Sequence, residues 1–213
     1  MSGPILVLNP NSNAEVTAGL DRALAPFRLG GGPEIECLTL AEGPFGVESR
    51  RDGDAVILPM LALLRSRPEA AAVVVACYSD PGVETLREQL AVPVFGIQEA
   101  GVLAALARAD RFGVIALSEA SIARHRRRLR GLGLLERWVG EEAAALSVAE
   151  SAHAPATLEE AGRRLTARGA GALVLGCAGM AEARGPLEAA LGVPVIEPTQ
   201  AAVALALHAV LAP

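Results

Sequence analysis

Two cysteines occupy matching places in a chain that contains itself twice. Val73-Val74-Val75-Ala76-Cys77 reappears as Leu173-Val174-Leu175-Gly176-Cys177 at an offset of 100, and Ala91-Val92-Pro93-Val94-Phe95-Gly96 as Gly192-Val193-Pro194-Val195-Ile196-Glu197 at an offset of 101. One thiolate and one thiol on opposite sides of a carbon next to a carbonyl invert that carbon without a cofactor. The thiolate removes a proton from one face and the thiol delivers one to the other. Racemisation runs in both directions, so acid and base must be chemically alike and able to exchange roles. Two identical side chains in repeat-related positions meet that requirement. Cys37, inside Ile35-Glu36-Cys37-Leu38, has no repeat partner and is read as structural.

The elements that must position these cysteines follow from the apolar pattern. Ile5 to Leu8, Ile35 to Leu40, Ala71 to Ala76, Phe112 to Ala116 and Ala172 to Gly176 are short, continuously apolar or β-branched runs bounded by turn residues. They predict buried strands of parallel sheets. Helical spacing lies between them, over Ala14 to Pro26, Ala55 to Arg65, Gln98 to Ala107, Ser121 to Gly131 and Leu158 to Ala167. The fold class is α/β.

Each half reads as a strand, a cysteine, a helix (carrying Leu86 or Leu187), a short strand opened by Val-Pro-Val and a final helix. Ile5 to Asn9 corresponds loosely to Gly113 to Leu117. Two similar, pseudo-twofold-related lobes are therefore expected, each a short parallel β-sheet flanked by helices, with the active site in the cleft between them. One spans 1–96 plus the closing helix at about 198–213, and the other 97–197. A cysteine at the carboxyl end of a strand stands where α/β sheets bind ligands. A helix starting just after it would draw the thiol toward thiolate.

Composition removes other chemistries. The 19 basic residues are all arginine, so no lysine is available for a Schiff base to a carbonyl or to pyridoxal phosphate. Arg124, Arg126, Arg127, Arg128 and Arg130 cluster without an aromatic platform and read as a solvated helix face, so no nucleic acid partner is expected. His125, His153 and His208 are distant in sequence from both cysteines and are given surface or packing roles. No metal-ligand spacing is present, and Gly30-Gly31-Gly32-Pro33 is a turn rather than a phosphate loop, so no cofactor and no metal are expected. Met1-Ser2-Gly3-Pro4 runs straight into a strand and no apolar stretch reaches roughly 18 residues. A cytoplasmic protein with no membrane partner is expected, its thiols unpaired.

On four further markers the chain resembles the aspartate/glutamate racemase superfamily, and within it the hydantoin and allantoin racemase branch. These are Asn9-Pro10-Asn11-Ser12, Gly43-Pro44 with Glu48-Ser49, Cys77-Tyr78-Ser79-Asp80-Pro81-Gly82, and Gly176-Cys177-Ala178-Gly179-Met180. The resemblance covers nearly the whole chain. It implies that Cys77 and Cys177 transfer the protons and that Asn9, Asn11 and Ser12 orient substrate or thiolate. It also implies that Ser79 and the backbone N–H groups after each cysteine bind the substrate's carbonyl oxygens, stabilising an enolate. Gly43, Pro44 and Val47 would form a lid or pocket wall, and the protein would be a homo-oligomer acting on a small molecule.

Relatives that act on free acidic amino acids carry a hydroxyl residue directly after each cysteine. Here Tyr78 and Ala178, with Gly179 next, favour a neutral cyclic amide such as a 5-substituted hydantoin or allantoin. Arylmalonate decarboxylase relatives keep only the second cysteine. Where hydantoin racemase relatives carry a Thr pair this chain has Ala116-Leu117-Ser118, so Ser118 is the remaining pocket hydroxyl, and Glu197-Pro198 replaces Asp-Pro or Asp-Gly. Maleate isomerase-like or amino-acid racemase activity, a non-catalytic ligand-binding α/β protein and a thiol redox protein are the alternatives.

Overall fold

Continuous apolar runs become strands covered on both faces. In the computed structural model, which describes residues 3–146 and 155–212, β1 (Ile5–Asn9), β3 (Ala72–Val75), β5 (Phe112–Ala116) and β7 (Ala172–Leu175) are buried at every position. With β2 (Ile35–Thr39), β4 (Val94–Gly96), β6 (Trp138–Ala143) and β8 (Val195–Ile196) they form two four-stranded parallel sheets among the described residues. The orders match, β2-β1-β3-β4 and β6-β5-β7-β8. So do the registers, Leu8 pairing with Leu38 and Val75 as Ile115 pairs with Glu142 and Leu175. Parallel neighbours require crossovers, which the helices supply. The protein is α/β, in two compact units comprising Met1–Ala100 with Thr199–Pro213, and Gly101–Pro198.

Helices α1 (Ala14–Ala23), α2 (Arg50–Ala55), α3 (Ile57–Arg65), α4 (Val83–Gln89), α5 (Ile97–Leu106), α6 (Glu119–Gly131), α7 (Pro155–Ala167), α8 (Arg184–Leu191) and α9 (Pro198–Leu211) connect or follow the strands. Two depart from expectation at prolines. The predicted Ala14 to Pro26 helix ends at Ala23, because Pro26 has no N–H to continue it and instead sits in a 3-10 turn over Ala25–Phe27. The predicted Ala55 to Arg65 helix is two helices. Pro59 cannot bond to the Ala55 carbonyl, and the chain breaks at Val56. Upstream, Ser49 and Asp52 form a reciprocal capping box that starts α2 at Arg50.

A further difference is β6, an edge strand that sequence periodicity passes over. It carries Gly140 at φ +133° and two adjacent glutamates, with an irregular register at Phe112/Gly113. Glu142 is held by Arg164 and Arg168 of the α7 segment, and the charged edge discourages pairing with other chains.

Each unit has its own core. In the first, Leu6, Leu8, Val73, Val75 and Val94 pack under Met60 and Leu64 of α3 and Val83 and Leu86 of α4. In the second, Ile115, Leu173 and Leu175 pack under Leu158, Ala161 and Leu165 of α7, with Met180 and Leu187. The closing helix α9 contributes Gln200, whose Nε2 donates to the Ala23 carbonyl at 2.9 Å, back in the first unit. No helix among the described residues is long and apolar enough to cross a membrane.

Candidate active site

In the first unit, the carboxyl edge of the sheet collects most of the predicted residues. The main chain leaves β1 at Asn9 and β3 at Val75, and it is stitched at this edge by Ala76 N–H to Leu8 O (2.9 Å) and Leu40 N–H to Asn9 O (3.0 Å). Asn9, the end of β2 and Cys77 are thereby brought together. Gly43 N–H bonds to Leu40 O and Ser12 N–H to Pro44 O, both at 2.9 Å, so the loop after β2 is fastened to the turn after β1. Val47 lies deeper and packs into the core cluster.

The Asn-Pro-Asn turn divides its labour. Asn9 is fully buried, and its Nδ2 donates to Asn11 Oδ1 (2.9 Å), Asn13 O (3.2 Å) and Thr17 Oγ1 (3.1 Å), while its Oδ1 accepts from Asn11 N–H (3.2 Å). This side chain builds the turn. Asn11 Oδ1 is also engaged, receiving Asn13 N–H at 2.9 Å, whereas the Asn11 Nδ2 group makes no hydrogen bond among the described residues.

After Cys77 the expected helix start is absent. Residues 78–82 form a turn with Asp80 at φ +48° and Gly82 at φ +69°, and α4 begins only at Val83, beyond Pro81. The Cys77 carbonyl accepts N–H groups from Ser79 (2.8 Å) and Asp80 (3.0 Å), and Cys77 Sγ lies 3.6 Å from Ser79 Oγ. Tyr78 is buried, at 3% exposure.

The second unit repeats the placement with different bonding. Gly176 N–H donates to Ile115 O at 2.8 Å, which sets Cys177 at the carboxyl edge next to Ala116 and the chain leading to Ser118. A Cβ on Gly176 would stand 2.6 Å from that oxygen, so only glycine permits the approach. Cys177 caps a 3-10 helix over Ala178–Ala183, and its Sγ accepts the Gly179 N–H at 3.3 Å. Met180 N–H bonds to the Cys177 carbonyl at 3.1 Å, and Ala178 is buried. Ser118 is the N-cap residue of α6 but makes no capping bond through its side chain.

The N–H groups of Ser79, Asp80 and Met180 bond to the carbonyl of the preceding cysteine, and that of Gly179 to the Cys177 sulfur. The tight turns following each strand require this, because an unpaired buried N–H is costly.

Elsewhere, no disulfide joins any of the three cysteines. Burial, with the Asp21 carboxylate nearby, pushes the Cys37 thiol up to about 11, as befits a structural residue on edge strand β2. His125 is buried, with its Nδ1 3.0 Å from Glu141 Oε2, a packing role whose partner sequence reading missed because β6 was not foreseen. His208 is exposed on α9, and His153 lies outside the described residues. Arg126, Arg127 and Arg130 are exposed on α6, while Arg124 and Arg128 are half-buried.

With this geometry in view, comparison places the chain. The sequence profile of the Asp/Glu/Hydantoin racemase family matches residues 5–206, and the chain belongs to that family. It is 32% identical to the hydantoin racemase of Pseudomonas sp. (strain NS671) over 95% of this chain and 84% of that protein. It is 33% identical to the hydantoin racemase of Rhizobium meliloti over 95% and 86%. The solved allantoin racemase from Klebsiella pneumoniae superposes with a TM-score of 0.90 at 29% identity, over 96% of this chain and 86% of that one. The protein is an isomerase of the racemase type.

Proposed function

We propose that the enzyme racemises a 5-substituted hydantoin, or a related ureide such as allantoin, with Cys77 and Cys177 as the two proton-transfer residues on opposite faces of the substrate carbon. The observation that carries this reading is the equivalence of the two cysteines. Each stands just beyond the end of the third strand in sheets of identical order, β3 in one and β7 in the other. The named activities of the relatives agree with a cyclic ureide, as does the lack of a serine or threonine directly after either cysteine.

In the forward direction a thiolate takes the proton from the stereocentre, and the electron pair moves into the adjacent carbonyl to give an enolate. The opposite thiol then protonates the other face, and the electron pair left on that sulfur makes it the next thiolate. Charge and protons balance without a cofactor. An N–H···S bond such as that from Gly179 stabilises sulfur when it is negative, and Ser79 Oγ can serve as donor to a Cys77 thiolate or acceptor from a thiol. Asn11 Nδ2 and Ser118 Oγ are the side-chain donors that would hold the substrate's carbonyl oxygens as charge develops. Ser12, Gly43 and Pro44 would contact substrate from the loops of the first unit, with Val47 packed behind them, and Tyr78, Ala178 and Gly179 flank the sulfurs. The working assembly is a homo-oligomer in the cytoplasm.

Incubating an enantiopure 5-substituted hydantoin, or allantoin, with enzyme in heavy water tests the reading. Loss of optical rotation should proceed with deuterium entering at the stereocentre, and Cys77→Ser and Cys177→Ser should each lower the rate by at least about 100-fold. Full racemisation by both variants would refute the two-cysteine mechanism.

A further inference from the structure

The first cysteine loop contains a buried carboxylate that its counterpart lacks. Asp80 is 7% exposed and adopts φ +48°, a conformation that residues with a Cβ seldom take. Its Oδ1 accepts the N–H of Gln98 at 2.8 Å and its Oδ2 that of Glu99 at 3.0 Å, gripping the first turn of α5. The grip depends on Gly96, since a Cβ there would stand 2.3 Å from Asp80 Cγ and 2.5 Å from both carboxylate oxygens. From the same residue the main chain returns to the cysteine, Asp80 N–H bonding to Cys77 O at 3.0 Å. One residue thus ties the α5 helix start to the backbone of Cys77.

The repeat shows that this tie is particular to one half. Met180 occupies the place of Asp80, and Glu197 the place of Gly96, so the second half has its acid at the strand end and none at the loop position. There the Gly179 N–H is bonded directly to the cysteine sulfur.

We infer that Asp80 is a positioning residue for Cys77, its carboxylate locking the loop on the N-terminal turn of α5 and so fixing where the Cys77 sulfur points. The residue acts through Cys77 and does not touch substrate. This rests on the reading that Cys77 transfers a proton.

Four variants, Asp80→Ala, Asp80→Asn, Gly96→Ala and the double Asp80→Ala/Gly96→Ala, separate the carboxylate's hydrogen bonds from the space it fills. For each, kcat, KM, the thermal midpoint and the site-resolved rates of iodoacetamide labelling at Cys77 and Cys177 are measured. Asp80→Ala should lower kcat by about 100-fold with KM changed far less, as misplacement by about 1 Å does. It should also raise the Cys77 labelling rate about tenfold by freeing the loop while leaving Cys177 at its wild-type rate.

Asp80→Asn, with one acceptor in place of two, should fall between. Gly96→Ala should reproduce the labelling change with the carboxylate still present. In the double variant the new methyl fills the vacated space, so the thermal midpoint should recover while kcat and the labelling ratio do not. Recovery of kcat and of the ratio in the double variant, or an unchanged ratio in both Asp80→Asn and Gly96→Ala, would overturn the inference. Absence of racemisation by the wild type would instead refute the functional reading, and the labelling ratio would still report on Asp80.

Discussion

Replacing His125 by alanine should destabilise the second unit far more than an ordinary surface change. The ring is 2% exposed and the Glu141 side chain fully buried, with Nδ1 and Oε2 3.0 Å apart. The other carboxylate oxygen, Oε1, accepts no hydrogen bond among the described residues. Without the imidazole, Oε2 loses its hydrogen-bond partner in a site closed to solvent. Breaking a buried pair from one side costs roughly 3–5 kcal/mol. In a chain of this size each kcal/mol moves the thermal midpoint about 2–4 °C, so a fall of about 6–20 °C is expected. Replacing both partners by apolar residues, as in His125→Leu/Glu141→Met, should come within about 1.5 kcal/mol of wild type, because no buried polar group is then left without its partner. The chain's single tryptophan, Trp138, lies on β6 three residues from Glu141 and reports guanidinium unfolding of this unit by its fluorescence. A loss below about 1 kcal/mol for His125→Ala, with the double variant no closer to wild type, would refute the reasoning.

Other outcomes follow from the same structure. Gly176→Ala should cost about 1–3 kcal/mol in chemical denaturation, since its methyl meets the Ile115 carbonyl at 2.6 Å, whereas Gly185→Ala on α8, with open space around it, should be neutral or stabilise by up to about 1 kcal/mol. The Cys37 thiol, raised from 9.0 to about 11 by burial, keeps its proton in the folded protein at pH values where the unfolded chain has lost it. Stability should therefore decline as pH rises from about 9 toward 11, and Cys37→Val should flatten that slope in guanidinium melts. The Arg67 guanidinium beside Glu36 holds that carboxyl below its usual 4.5, so its contribution is present at neutral pH and is lost as pH falls through the lowered value. Because the pair is partly exposed, Glu36→Gln should change the neutral-pH midpoint by less than about 1 kcal/mol.

Much of the architecture was readable because burial on both faces leaves a plain signature. Phe112 to Ala116 is a strand with the same bounds as its apolar run, and the α/β class follows from five such runs alternating with helices. The failures have local causes. Trp138–Ala143 mixes Gly140 with Glu141 and Glu142, because an edge strand needs charge on its open side and here also buries a carboxylate against His125. The breaks at Pro26 and Val56 were legible in principle from the missing proline N–H.

At the candidate site, the repeat picked out Cys77 and Cys177, but it could not distinguish Asn9, which builds its own turn, from Asn11, which keeps a donor group. Nor does any local pattern connect Asp80 with Gly96, which are 16 positions apart in sequence and meet only once β4 is laid beside β3.

The first unit is discontinuous, since Thr199–Pro213 belongs with residues 1–100 and Gln200 bonds to Ala23. On the ribosome this reverses the usual order of completion. At about 5–20 residues per second, the intervening segment takes roughly 5–20 s to be made, and the earlier half waits through that interval without the helix that buries Ala202, Val203, Ala206 and Leu207. The half made second is thus the first able to finish folding. A truncation before Thr199 would leave the N-terminal unit open rather than merely shorten the chain's end.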